Sequence, residues 1–185
     1  MSQRRPTLRF HFEPFLVAVL LAVWMPALLS ASERGDDTHR KSKNGHSHAE
    51  IDGIDVEVTY GRPKAEGREI WGALVPYDKI WRTGADEATV ISFSKHVAIE
   101  GKNLCGGSYA LFTIPGESSW TLVFNRIHEQ WGAYGHDPSA DALRVQVTPR
   151  HGERFQNELE IRLDGNEAVI HWGRLEVPFR ISSTH

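Results

Sequence analysis

Between Ile54 and Tyr60 every second side chain is apolar or aromatic, with Ile54, Val56, Val58 and Tyr60 set against Asp55, Glu57 and Thr59. Successive side chains of an extended chain point to opposite faces, so a period of two makes a half-buried strand and does not suit a helix. The same beat returns at Thr89, Ile91 and Phe93, at Val97 and Ile99, and from Tyr109 to Ile114. It continues at Trp120, Leu122 and Phe124, at Leu143, Val145 and Val147, and at Leu159, Ile161 and Leu163. Ile170 and Trp172, then Leu175, Val177, Phe179 and Ile181, complete the series. Turn-forming groups punctuate it at Glu100-Gly101-Lys102-Asn103, Pro115-Gly116-Glu117-Ser118-Ser119 and Asp164-Gly165-Asn166-Glu167. With no long amphipathic helix and no internal repeat, the pattern predicts an all-β fold of about eight or nine short strands, an antiparallel β-sandwich or a partly closed barrel.

Composition sets the class. The chain has 185 residues, 40% hydrophobic and 24% charged, which suits one globular domain with a short extension. A body of about 150 residues buries roughly 70% of its unfolded surface, enough for a core without staples. A single cysteine, Cys105, excludes an internal disulfide framework and any multi-cysteine metal site. Its neighbours Leu104, Gly106 and Gly107 suggest a turn at a strand edge, with the thiol packed and inert. A net charge of −3 argues against nucleic acid as a partner.

The first residues read as a targeting segment. Arg4, Arg5 and Arg9 precede the apolar run Phe15–Met25, and Ser30-Ala31-Ser32 provides a small-residue exit. These are the parts of an export signal, and even extended to Leu29 the run is short of the ~20 residues of a typical spanning helix. Residues 1–31 are therefore expected to be a signal peptide cut after Ala31 or Ser32, or alternatively a membrane anchor. The chain is expected to be exported to the periplasm or cell envelope, touching membrane only through an uncleaved N-terminus. Residues 32–48 contain no large aliphatic side chain and read as a flexible polar linker, leaving 49–185 as the folded domain.

Two long excursions, Tyr60–Asp86 and Asn125–Asp141, interrupt the alternation, and loops of this kind carry function in strand-rich domains. They also carry a specific likeness. In order stand Tyr60-Gly61-Arg62-Pro63, Gly67-Arg68, Leu74-Val75-Pro76-Tyr77, Trp81-Arg82-Thr83-Gly84-Ala85, Glu87-Ala88-Thr89, Gly107-Ser108-Tyr109-Ala110-Leu111-Phe112-Thr113-Ile114-Pro115 and Gln130-Trp131-Gly132. From about His48 to the last strands the chain resembles the bacterial family described as domain of unknown function 2911. That resemblance implies an exported domain with no established activity. The sequence departs from the pattern at Cys105-Gly106, where a proline-alanine pair is expected, and at Asp86, where asparagine is usual. The first departure argues against Cys105 as a nucleophile.

Three constellations are candidates for chemistry. Trp81, Arg82, Asp86 and Glu87 crowd around a glycine turn, with Tyr60, Arg62 and Arg68 upstream. Arginine grips carboxylate or phosphate through a planar fork, and a tryptophan face suits sugars or cations. This group reads either as a pocket for a small polar or anionic ligand or glycan, or as a structural lock in which Arg62 and Arg82 pair with Asp86 and Glu87. Trp131 and Tyr134, spaced by glycines, form either a stacking platform or a loop folded back on the sheet. His46 and His48 share a face of an extended chain and could hold a metal with a third ligand from His96, His128, His136, His151 or a carboxylate. His136 beside Asp137 is a weak acid–base signal, and His171 is expected to point outward beside Trp172.

There is no Gly-x-Ser-x-Gly elbow, phosphate-binding loop, dinucleotide fingerprint or His-Glu-x-x-His. No cofactor is expected. The leading expectation is a non-catalytic binding module for a small molecule, glycan or protein in the envelope. The alternative is an enzyme or metal-dependent site built on Arg82, Asp86, Glu87 and a histidine.

Overall fold

A computed structural model describes residues 34–184. The N-terminal apolar segment and its expected cut lie outside the described residues. Alternation becomes strand where expected. In β2 (Ile54–Arg62) Ile54, Val56, Val58 and Tyr60 are all buried while Asp55 faces solvent. β1 (Lys43–Ile51) pairs with it through Asp52 and Gly53, both at positive φ (51° and 72°), the two-residue turn whose twist matches a hairpin. β3 (Val90–Phe93), β6 (Gly107–Ile114), β7 (Trp120–Asn125) and β8 (Asp141–Val147) extend this into a six-stranded antiparallel sheet ordered β1-β2-β3-β6-β7-β8.

The second sheet runs β5-β4-β10-β9, from β4 (Val97–Ile99), β5 (Lys102–Leu104), β9 (Arg150–Asp164) and β10 (Glu167–Ser183). The two sheets enclose one core in which Phe93, Phe124, Phe179, Trp120 and Trp172 are almost fully buried. This is the sandwich the alternation predicts. A smaller cluster on the outer face of β6 and β7, Ala110, Phe112 and Val123 with Ala88, is covered by Ile80 and Ala133 from the two excursions. Both long loops are therefore packed against the sheet.

Three expectations need correction. The stretch assigned to a linker through His48 already forms β1 from Lys43, and Arg34 docks ahead of it, its side chain only 5% exposed. β1 hides its strand character because its inward side chains are small. A Cβ on Gly45 would stand 2.6 Å from the Tyr60 ring, so the neighbouring strand supplies the apolar cover. Second, the segments around Ile170–Trp172 and Leu175–Ile181 are one strand, β10, whose pairing with β9 shifts register between His171 and Gly173 and again before Leu175. At such a bulge alternation fails, and Ile170, His171 and Trp172 are each 1% exposed. Third, Cys105 lies in the expected turn between β5 and β6, yet its thiol is exposed.

Gly61 shows how tightly the first excursion returns. A Cβ there would lie 2.3 Å from the Ala85 carbonyl oxygen, a backbone atom that cannot swing aside. Gly61→Ala should therefore cost about 1–3 kcal/mol through overpacking, read as a lower urea midpoint at unchanged m-value. Wild-type stability in this variant would mean that the close approach is not maintained in solution.

Candidate functional site

The segment Trp81–Glu87 is held by backbone before any side chain acts. Trp81 exchanges two hydrogen bonds with Thr113, 2.8 and 2.9 Å, which adds it to the free edge of β6 beyond β3. Thr89 Oγ1 donates to the Thr83 carbonyl at 2.9 Å, and the hydroxyls of Thr83 and Thr113 meet at 3.2 Å. Within this frame Thr83 (φ 56°) and Asp86 (φ 62°) adopt the left-handed conformation, which is costly for a β-branched threonine. Strain of that kind persists only where surrounding contacts overdetermine it, and it concentrates at functional sites.

Beside this segment lies a cavity of about 310 Å³ lined by Lys41, Lys64, Arg68, Trp81, Arg82 and Asp86, with Trp172 behind. Its size is that of a small-molecule site. Trp81 and Trp172 stack with centroids 6.0 Å apart and planes 17° from parallel, and Trp71 meets both edge-on at 5.8 Å. Most of the cations are already occupied. Lys64 lies 3.1 Å from Glu158, Lys41 3.4 Å from Glu66, and Arg68 donates to the Ala65 and Lys64 carbonyls at 3.0 and 2.5 Å. Arg82 differs. Its Nε is buried with no hydrogen-bond partner, and among the described residues it makes no ion pair.

The structure thus brings together Arg68, Trp81, Arg82 and Asp86 of the residues singled out in the sequence. Tyr60 is in the core, its hydroxyl 3.4 Å from the Ile161 carbonyl oxygen. Arg62 pairs with Glu158 at 2.9 Å. Trp131 and Tyr134 stand apart from the cavity, exposed on the second excursion, and Trp131 bridges to Glu87 through backbone. His46 and His48 share a face of β1 but sit 2.7 Å from Glu57 and 3.7 Å from Asp55, and the described residues contain no group of three side chains placed to hold a metal. His136 pairs with Asp141 at 2.9 Å, while its neighbour Asp137 caps Ser139. Burial alone would raise the Asp141 carboxyl, but hydrogen bonds from Asn125, Arg144 and His136 outweigh it and hold it below the usual range.

The structural lock imagined for Arg62 and Arg82 exists with different partners. Arg40 grips Glu87 with both ends of its fork, 2.5 and 2.7 Å, and Arg34 adds a bond at 2.9 Å while donating to the Ala85 carbonyl at 2.7 Å. Both arginines come from the stretch taken for linker, which is why the pairing was hidden in the sequence. A guanidinium needs no aliphatic neighbours to dock, only carbonyls and a carboxylate. Lys41 then falls on the cavity wall, so the Glu87 clamp holds one side of the site in place.

Hydrogen bonds from Arg40 hold the Glu87 carboxyl below its ordinary 4.5; burial works against them, and the charge on Arg34 assists. A depressed carboxylate contributes stability above its unfolded pKa and loses it as pH falls through the folded value. Wild type should therefore shed this contribution below about pH 4.5. Glu87→Gln should be less stable by roughly 1–2 kcal/mol at pH 7, after allowance for partial exposure, with the gap narrowing in acid. Melting curves from pH 3 to 7 check this, and parallel curves would show that Glu87 carries no linkage. Deleting residues 33–40 should lower the melting temperature as well, because it removes both arginines.

Against known proteins, no curated sequence and no solved structure matches the chain. A family model described as protein of unknown function (DUF2911) matches residues 42–181, from the residue before β1 to Ile181 near the end of β10. That span includes both sheets, the Trp81–Glu87 segment and all of the cavity lining except Lys41. The chain is a member of the DUF2911 family.

Proposed function

We propose that this domain is an exported, non-catalytic binding module whose cavity takes a small anionic molecule, with Arg82 as the principal grip. The single observation that carries the reading is the guanidinium of Arg82, its Nε buried and unpartnered on the wall of a 310 Å³ cavity. A buried donor without a partner costs about 1–3 kcal/mol, and a bound carboxylate or phosphate would recover that cost. Lys41, Lys64 and Arg68 also line the cavity, but Glu66 and Glu158 already pair with them, which among the described residues leaves Arg82 as the cation free to take an anion. Trp81, in front of Trp172, offers a flat apolar wall to the uncharged part of a ligand, such as a sugar ring or a short hydrocarbon chain. The catalytic alternative lacks support. Among the described residues no histidine lines the cavity, and Glu87 is engaged outside it by Arg34 and Arg40.

Thermal-shift measurements on a panel of small carboxylates, phosphates, sugar acids and neutral sugars test this. Anions should raise the melting temperature and neutral sugars of the same size should not, because binding to the native state stabilises it by about 2.7 kcal/mol at one hundred times Kd. Arg82→Lys should fold with wild-type stability, since no ion pair is broken. It should bind the same anion about tenfold or more weakly, because the planar fork is lost. A panel without any stabilising anion, or an Arg82→Lys response equal to wild type, would overturn the reading.

A further inference from the structure

The described residues expose five large hydrophobic side chains, Leu74, Ile127, Trp131, Tyr134 and Phe155, and three of the five lie on the loop between β7 and β8. Trp131 is 58% and Tyr134 91% exposed. Charges of both signs accompany them, Arg126 and Glu129 in the loop itself and Arg40 paired with Glu87 beside it. The Arg40 guanidinium sits 6.0 Å from the centre of the Trp131 ring, and Arg126 and His128 flank Ile127. Tryptophan and tyrosine favour the boundary between hydrocarbon and water.

The position of this loop is tied to the N-terminal apolar run. Trp131 bridges to Glu87, and Glu87 holds Arg34 at 2.9 Å. Four residues, Ser30-Ala31-Ser32-Glu33, separate Arg34 from Leu29, the end of that run. Even fully extended, the five steps from Leu29 to Arg34 span at most about 18 Å. An apolar run engaged with a bilayer therefore keeps this end of the sandwich close to the surface. The opposite end of β1, the Asp52-Gly53 turn, lies about 23 Å further along the strand.

We propose that the Ile127–Tyr134 loop rests in the headgroup layer of a bilayer, beside a retained N-terminal apolar segment. The inference rests on the membrane-directed reading of that segment and is independent of the Arg82 cavity. Membrane attachment would present the domain with its aromatic loop against the lipid and the Asp52-Gly53 turn away from it.

Site-specific labelling of the full chain tests it. Cys105 is the only cysteine, so Cys105→Ser gives a background for one new thiol. Tyr134→Cys or Lys95→Cys, the latter beside Gly53 at the far end, is coupled to an environment-sensitive fluorophore. The chain is then reconstituted in vesicles of phosphatidylethanolamine and phosphatidylglycerol. The label at position 134 should shift to the blue and lose intensity to lipid-borne nitroxide, while the label at position 95 keeps its aqueous emission. Aqueous emission from both positions on vesicle-bound protein would overturn the proposal. So would a position-134 label that responds to soluble polysaccharide but not to vesicles, which would make the loop a glycan platform. Recovery of the chain from cells in the soluble fraction, beginning near Ser32, would remove the retained segment and the proposal with it. None of these outcomes alters the thermal response to anions, so the two readings fail separately.

Discussion

Four tryptophans at the meeting point of the two sheets bear most of the structure's organisation. Trp120 comes from the six-stranded sheet, Trp172 from the four-stranded sheet, and Trp71 and Trp81 from the excursion between β2 and β3. Trp71 makes edge contacts with the other three at 4.8 to 5.8 Å, and Trp81 lies nearly parallel to Trp172. A tryptophan buries about 150–250 Å², roughly 4–6 kcal/mol of gross burial before ordering entropy. Trp71 and Trp81 are partly buried and contribute a share of that, which helps to order the long loop that carries them. The same cluster supplies the aromatic wall of the cavity, so the element that closes the core also shapes the site.

Electrostatics completes what the tryptophans begin. The Trp81–Glu87 segment ends in a carboxylate clamped by Arg34 and Arg40, which join the stretch ahead of β1 to the far side of the same loop. Burial pulls the Arg34 guanidinium below its usual pKa, against the attraction of Glu87, the balance expected when a charge gives up water for one good partner. Arg82, five residues before Glu87, has no equivalent partner among the described residues. Two guanidinium groups on the clamp are satisfied, while that of Arg82 on the cavity is not. This contrast separates a structural lock from a candidate ligand grip within one short motif.

Where side chains alternate by size, the strands were legible. β2, β3, β6, β7 and β8 follow from residues such as Val56, Ile91, Leu111, Leu122 and Val145, whose burial depends on one face of a regular sheet. The reading missed β1 because its inward positions Gly45, Ser47 and Ala49 are small, their space filled by Tyr60 and by the contact of Ser47 with the Ile161 carbonyl. It misplaced His171 because a bulge in β10 puts three consecutive side chains inside. Of the candidate site, Arg68, Trp81, Arg82 and Asp86 were visible as a cluster of residue types, whereas Lys41 and Lys64 carried no signal.

By itself the sequence determined the all-β class, the strand-bearing segments, the turns and the two loops worth examining. These are local properties, set by the period of side-chain direction and by the backbone freedom of glycine, asparagine and aspartate. Tertiary structure alone decided which arginine meets which carboxylate. Arg34 and Glu87 are separated by 53 residues along the chain and touch only because β1 pairs with β2 and Gly61 lets the Ala85 backbone close over it. Charge pairing depends on distance in space, and nothing in the order of residues encodes that distance until the sheets have formed.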